Sequence, residues 1–217
     1  MNSAMERKKT ILKKPTPKLV AIAGGSGAGK TFLAQKLKKH FGKDALVLSL
    51  DSFYRDLSHM PAERRSKVNF DDPKAIDWQC LERTLKQLIA RKPTRVPCYD
   101  FKTHCRQSHD MLLMPKPIVI VDGLWVLRRP SLRRLFDVKV FIECATGLRF
   151  KRRLRRDTIE RGRTEDSVCE QFVETVAPMH KKFVQSQSKV ANVVISGEFN
   201  DGDVKALAEK IAASDES

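Results

Sequence analysis

"AIAGGSGAGKTFLA" spans residues 21–34. It begins with small apolar residues, passes through four glycines and reaches a lysine, a threonine and the first turn of an amphipathic pattern. Gly24 to Thr31, "GGSGAGKT", fits G-x-x-x-x-G-K-[ST], with a buried strand expected before it and a helix after it. Without Cβ atoms the backbone can curl so that successive N–H groups point inward at phosphate oxygens. The helix N-terminus adds partial positive charge at the same place. Across Gly24, Gly25, Ser26, Gly27, Ala28 and Gly29 the loop offers backbone rather than side chains. Lys30 then reaches the β- and γ-phosphates, and the Thr31 hydroxyl can hold Mg²⁺. The stretch therefore reads as a nucleoside-triphosphate site, which leaves the reaction open.

The bulk properties set bounds around that site. The chain has 217 residues, enough for one large domain, and 41% of them are hydrophobic, which argues against wholesale disorder. A net charge of +16 favours polyanionic partners such as nucleotides, nucleic acid or an acidic membrane surface. Five cysteines, Cys80, Cys98, Cys105, Cys144 and Cys169, have no disulfide-like spacing, so a reducing, cytoplasmic setting is expected. No apolar run approaches the roughly 20 residues of a membrane span. Residues 1–17 are basic and read as a solvated tail, with an ordered domain expected over 18–217.

Along that domain, strands are expected at 19–23, 45–50, 117–123, 138–143 and 190–196. Helices are expected at 31–40, 72–90, 147–160 and 165–186, the last kinked near Pro178, and at 203–213 with Ala206, Leu207 and Ile211 facing inward. The alternation predicts an α/β fold of P-loop type, a parallel sheet of about five strands with helices on both faces. Residues 93–116 break the alternation and read as an inserted β-hairpin flap. Residues 147–164, dense in arginine, read as a lid. The arginine run could instead be a nucleic-acid face, but it lacks the interleaved aromatics that stack single strands. Cys98, His104, Cys105 and His109 do not match the spacing of a common zinc site.

Two acids sit at the carboxyl ends of strands, where such sheets keep their chemistry. Asp51 follows "LVLSL" and Asp122 ends "IVIV". One could accept a proton from an attacking hydroxyl, and the other could orient Mg²⁺.

The segments "LDSFYRDL" (50–57), "NFDDPKAID" (69–77), "PCYDFKTHCR" (97–106), "VDGLWVL" (121–127) and "RRDTIERGRT" (155–164) resemble the uridine kinase (uridine–cytidine kinase) family in order and spacing, over about residues 18–207. The resemblance implies a kinase that uses ATP or GTP with Mg²⁺ to phosphorylate the 5′-hydroxyl of uridine and cytidine. It implies that Asp51 is the base, Asp71 the carboxylate on the ribose hydroxyls, and Tyr99, Phe101 and His104 the pocket for the pyrimidine. Arg153, Arg163 and Gln171 match substrate-contacting positions, Arg156 a lid arginine near the phosphates, and Asn200 a position on the adenine side. Thr31, Asp51 and Asp122 would face the metal. The partner is then a small-molecule nucleoside rather than nucleic acid or membrane, and a homo-oligomer is implied.

The chain departs from the family pattern at three places. Asp122 stands where the family usually has glutamate. Ser196 stands where proline usually follows the last strand. Lys102 and Thr103 lie between the flap aromatics and His104. The alternatives are a kinase for another hydroxyl acceptor, such as a phosphopentose or pantothenate, and a nucleic-acid-binding P-loop NTPase. The Tyr99-Asp100-Phe101/His104 signature argues against the first. The intact Lys30, Thr31 and Asp51 argue against a third possibility, a scaffold without activity.

Overall fold

A computed structural model of the chain describes residues 16–65 and 68–213. The expected tail falls outside them over residues 1–15, as does the end of the domain over 214–217. The strands are β1 (Lys18–Gly24), β2 (Ala45–Ser49), β3 (Thr94–Asp100), β4 (Cys105–Leu113), β5 (Ile118–Gly123), β6 (Val138–Glu143) and β7 (Val193–Ser196). The helices are α1 (Lys30–Phe41), α2 (Ala62–Arg65), α3 (Trp78–Ile89), α4 (Pro130–Arg133), α5 (Thr146–Ile159), α6 (Glu165–Gln171), α7 (Ala177–Met179) and α8 (Asp201–Ala213).

Five strands form one parallel sheet in the order β2-β5-β1-β6-β7. β1 is buried along its whole length because both of its faces are covered. Its pleat divides the core in two. Leu19, Ala21 and Ala23 pack with Leu81, Leu85 and Leu88 of α3, whereas Val20 and Ile22 pack with Leu33 and Leu37 of α1 and with Leu207 and Ile211 of α8. Helices therefore lie on both faces, as the alternation predicts.

Boundaries shift where capping overrides periodicity. The helix expected from residue 72 starts at Trp78, because the Asp77 side chain accepts from the Cys80 N–H. The stretch before it is a 3₁₀ turn, Pro73–Ala75, capped by Asp72. β7 begins at Val193 rather than 190, because Gln185–Val190 is a run of 3₁₀ turns. In α8 the inward positions are Val204, Leu207, Ala208 and Ile211, and Ala206 faces solvent. The stretch after α6 widens into π-helical turns, Phe172–Val176 and His180–Val184, on either side of α7, which contains Pro178.

The inserted flap is a separate antiparallel pair, β3–β4, with a register shift between Pro97 and Tyr99. Its tip is closed by Asp100, whose carboxylate accepts from the Lys102 N–H at 2.8 Å and the Thr103 hydroxyl at 2.9 Å. Arg106, one pair in from the tip, anchors the hairpin to the domain, donating from Nε to the Tyr54 carbonyl at 3.0 Å and pairing with Asp77 at 3.3 Å. Among the described residues no helix is long and apolar enough to cross a membrane.

The turn after β5 depends on one distant glutamine. Gln187 is buried, accepts from the Leu127 N–H at 3.0 Å and donates to the Leu124 carbonyl at 2.7 Å. Replacing it with leucine keeps the bulk but leaves a buried N–H and a buried C=O unpaired, at about 1–3 kcal/mol each. Gln187→Leu is expected to lower stability by about 2–4 kcal/mol, and the melting temperature by roughly 5–15 °C, in thermal denaturation followed by circular dichroism.

Candidate active site

The phosphate loop runs from the last residue of β1 into α1. Two of its glycines are required by close approach. A Cβ on Gly27, whose φ is +78°, would overlap the carbonyl oxygen of Arg149 in α5, and one on Gly25 would lie 2.7 Å from the Arg149 guanidinium. The lid helix thus rests directly on the loop. Lys30 opens α1, and its ammonium donates to the Gly25 carbonyl at 2.8 Å. Burial pulls the Lys30 ammonium down to about 8, against the opposing pull of Asp122 and Asp51. Thr31, on the first turn of α1, is exposed. Gly29 caps α1 without a side-chain hydrogen bond, so the N-terminal amides remain available to an anion.

Both acids arrive beside Lys30 from neighbouring strands. Asp122, at the end of β5, is in register with Ile22 of β1 and Ser49 of β2. Asp51 follows β2 in a 3₁₀ turn, Leu50–Phe53, and its N–H donates to the Ser49 hydroxyl at 3.3 Å. Burial raises the Asp51 carboxyl, and the nearby Lys30 charge opposes that shift. Asp122 Oδ2 is buried with no hydrogen-bond partner. An orphaned carboxylate oxygen near a second carboxylate suits a hard divalent cation, so these residues fit Mg²⁺.

A second pocket faces the same centre. Asp71 is buried, its N–H donating to Asn69 Oδ1 at 2.9 Å. Burial raises its carboxyl, with Arg153 opposing. A small cavity lies between Asp71, Ser26, Trp125 and His180. Beside it stands an aromatic set. Tyr99 and Phe101 have ring centroids 5.4 Å apart, Tyr54 lies 5.1 Å from Tyr99, and His104 stacks on Phe70 at 4.4 Å. Tyr54 also donates its hydroxyl to the Phe70 carbonyl at 3.1 Å. The three expected flap residues are thus joined by Tyr54 and Phe70. Both could have been suspected from their places three residues after Asp51 and one before Asp71.

The lid residues are gathered on the same side. Arg153 is buried and donates to the Ser26 hydroxyl at 2.9 Å and to Gln171 Oε1 at 2.8 Å, and Arg163 donates to that same oxygen. Arg156 lies close enough to influence both Lys30 and Asp51. Asn200 is placed apart from this centre. It is exposed, and its side chain caps α8, accepting from Gly202 N–H at 2.7 Å and Asp203 N–H at 3.1 Å. Its neighbour Phe199 instead reaches the loop, packing against Phe32 at 5.8 Å and lying near Gly29.

Two groups had no signal in the sequence. His180 comes from a π-helical turn far along the chain, and its Nδ1 is buried against Gly25 with no hydrogen-bond partner. Burial, with Arg149 and Lys30 nearby, pulls it down to about 4, so the ring is neutral at pH 7. Arg149 is fully buried, which a reading of the helix as a solvated basic face would not predict.

The sequence profile of the phosphoribulokinase / uridine kinase family matches residues 19–201. A uridine kinase of Bacillus cytotoxicus is 41% identical over 198 residues, covering 90% of this chain and 93% of that protein. A uridine kinase of Bacillus cereus AH187 is 40% identical over the same shares. Solved structures that share the fold include phosphoribulokinase from Rhodobacter spheroides, with a TM-score of 0.63 and 17% identity over 85% of this chain and 71% of that one. Another is D-glycerate 3-kinase from Cryptococcus neoformans, with a TM-score of 0.59 and 18% identity over 85% of this chain and 88% of that one. With a phosphate loop, two strand-end carboxylates and an arginine-bearing lid converging on one point, and with these relatives across nine-tenths of its length, the chain is a kinase belonging to the phosphoribulokinase / uridine kinase family.

Proposed function

We propose that the protein transfers the γ-phosphate of ATP or GTP to the 5′-hydroxyl of uridine, and of cytidine. The observation that supports this reading is that Asp51 lies near enough to act both on Lys30 and on Tyr54, which also feels Asp71 and packs against Tyr99 of the flap. A nucleoside whose ribose diol meets the Asp71 carboxylate and whose base lies among Tyr99, Phe101 and His104 presents its 5′ end toward Asp51. A carboxylate accepts two hydroxyl hydrogen bonds, and a flat ring is held by aromatic faces.

In this reading Asp51 takes the proton from the 5′-hydroxyl as its oxygen attacks. The loop amides of residues 24–31 and Lys30 hold the β- and γ-phosphates, and Arg156 neutralises charge on the moving group. Arg153, Arg163 and Gln171 form one hydrogen-bonded set that closes over the nucleoside. The adenine side falls at Phe199, beside Gly29. Thr31, Asp51 and Asp122 would hold Mg²⁺, which when bound would neutralise charge on the phosphates.

A coupled phosphoryl-transfer assay with MgATP tests the proposal. Turnover is expected on uridine and cytidine and not on ribulose 5-phosphate or pantothenate, and Asp51→Asn should lower kcat by about 10²–10⁴-fold. No transfer to any nucleoside, together with ATP hydrolysis stimulated by RNA or DNA, would instead make the protein a nucleic-acid-dependent NTPase. Asp71→Asn is expected to raise KM for uridine by roughly 10-fold or more, the value of a charged hydrogen bond, with little change in KM for MgATP.

The pH profile follows from Lys30. Its ammonium titrates at about 8 in the free protein, so it is charged below that pH and neutral above it. The kcat/KM for MgATP is therefore expected to fall by about tenfold per pH unit above about 8. Lys30→Arg should remove that alkaline limb even where it lowers the plateau, because a guanidinium stays charged there.

A further inference from the structure

The lid contains a carboxylate that the phosphoryl-transfer reading does not use. Asp157 in α5 is completely buried, yet four guanidinium groups crowd around it. Arg156 meets Oδ1 at 2.8 Å, and Arg161 approaches the same oxygen at 3.6 Å. Arg153 approaches Oδ2 at 3.3 Å and Arg163 at 3.9 Å. Arg153 and Arg161 come from positions one helical turn to either side, and Arg163 from beyond the end of the helix, where its N–H donates to the Asp157 carbonyl at 3.1 Å.

These arginines also reach several parts of the site. Arg153 reaches Ser26 of the phosphate loop and Gln171. Arg163 reaches Gln171 and Ser167. Arg161 lies over the Phe101 ring of the flap at 5.1 Å, and together with Arg156 it acts on Asp51. One anion thus ties the lid to the loop, to the flap and to the residue beside the reacting oxygen. The cluster carries four positive charges on one negative, and the excess faces the place where a triphosphate would lie. Side-chain exposure separates the four. Arg153 is only 7% exposed, whereas Arg156 at 33% and Arg161 at 37% border solvent. Oδ1 accepts a hydrogen bond from Arg156 Nε at 2.8 Å, whereas Oδ2 has ion pairs but no aligned hydrogen bond.

We propose that Asp157 is the positioning residue of the lid: it gathers Arg153, Arg156, Arg161 and Arg163 into one cluster facing the phosphate loop, and it releases Arg156 and Arg161 to the γ-phosphate when the triphosphate is bound. This rests on the kinase reading above for the identity of the anion. Without Asp157 the guanidinium groups repel one another and spread, so the charge that must meet the transition state is no longer held in place.

Asp157→Asn keeps the shape and removes the charge. Its kcat on uridine is expected to fall roughly 10- to 100-fold with KM for uridine within about threefold, because Arg153 and Arg163 keep their bonds to Gln171 while Arg156 and Arg161, which serve the transition state, are no longer gathered. On an Arg156→Gln background the same substitution should cost clearly less than in the parent, since Asp157 acts in part through that arginine. Unchanged kcat per folded molecule, a loss confined to KM for uridine, or full additivity with Arg156→Gln would overturn the proposal. Trypsin provides a readout independent of turnover, which separates failure here from failure of the kinase reading. The lid arginines of Asp157→Asn should be cut at least about tenfold faster than those of the parent without nucleotide, and equal rates would overturn the proposal. Should Asp157→Asn not fold, Arg156→Gln, Arg161→Gln and their double variant take its place. Sub-additive losses of kcat support a cluster held on one carboxylate, and additive losses overturn it.

Discussion

A buried lysine ammonium bonded to the Gly25 carbonyl and within the influence of two carboxylates, beneath a backbone that only glycine can supply, is the constraint on which the rest of the site depends. Lys30 sits where burial weakens its charge while Asp51 and Asp122 support it. That balance requires three neighbouring strands to end at one level, and the register of β5 with β1 and β2 places them there. It also requires the chain to pass from β1 to α1 without side chains in the way, because Arg149 and its carbonyl occupy the space a Cβ would need at Gly25 and Gly27. The open sheet thus builds its reaction centre beyond the carboxyl ends of its strands, as the topology favours.

The lid extends the same electrostatic logic. A helix with arginines at 149 and 153 and an aspartate at 157 would usually turn these groups to water, but here they form its buried face. The cost of burying charge is offset by mutual pairing and by backbone acceptors, such as the Cys144 carbonyl that takes Arg149 Nε at 3.2 Å. The excess of positive charge in the chain is therefore partly internal. Three of the arginines that look like a nucleic-acid face in one dimension, Arg149, Arg153 and Arg161, are turned toward the phosphate loop and the flap, while Arg155 is exposed.

The degree to which the sequence foretold this varies with the kind of residue. The phosphate loop was legible because its geometry is local: spacing along eight residues sets both the turn and the helix start. The five buried strands were legible from short apolar runs, and the flap from the interruption between them. Tyr54 and Phe70 were harder, because their rings meet the flap only across the fold. His180 and Gln187 left no trace, since each acts through contacts with residues more than fifty positions away, Gly25 for the first and Leu124 and Leu127 for the second. Asn200 shows the reverse: a polar residue near the right strand end that spends its side chain on a helix cap.

Sequence alone determined the class of the fold, the position of the anion cradle and the two carboxylates beside it, because these follow from periodicities and spacings a few residues long. Tertiary structure decided which face of the basic helix is buried, which arginines share Asp157, and which distant rings and amides complete the two pockets. Those outcomes depend on burial and on charges brought together from separate elements, and neither is encoded in the spacing of residues along a chain.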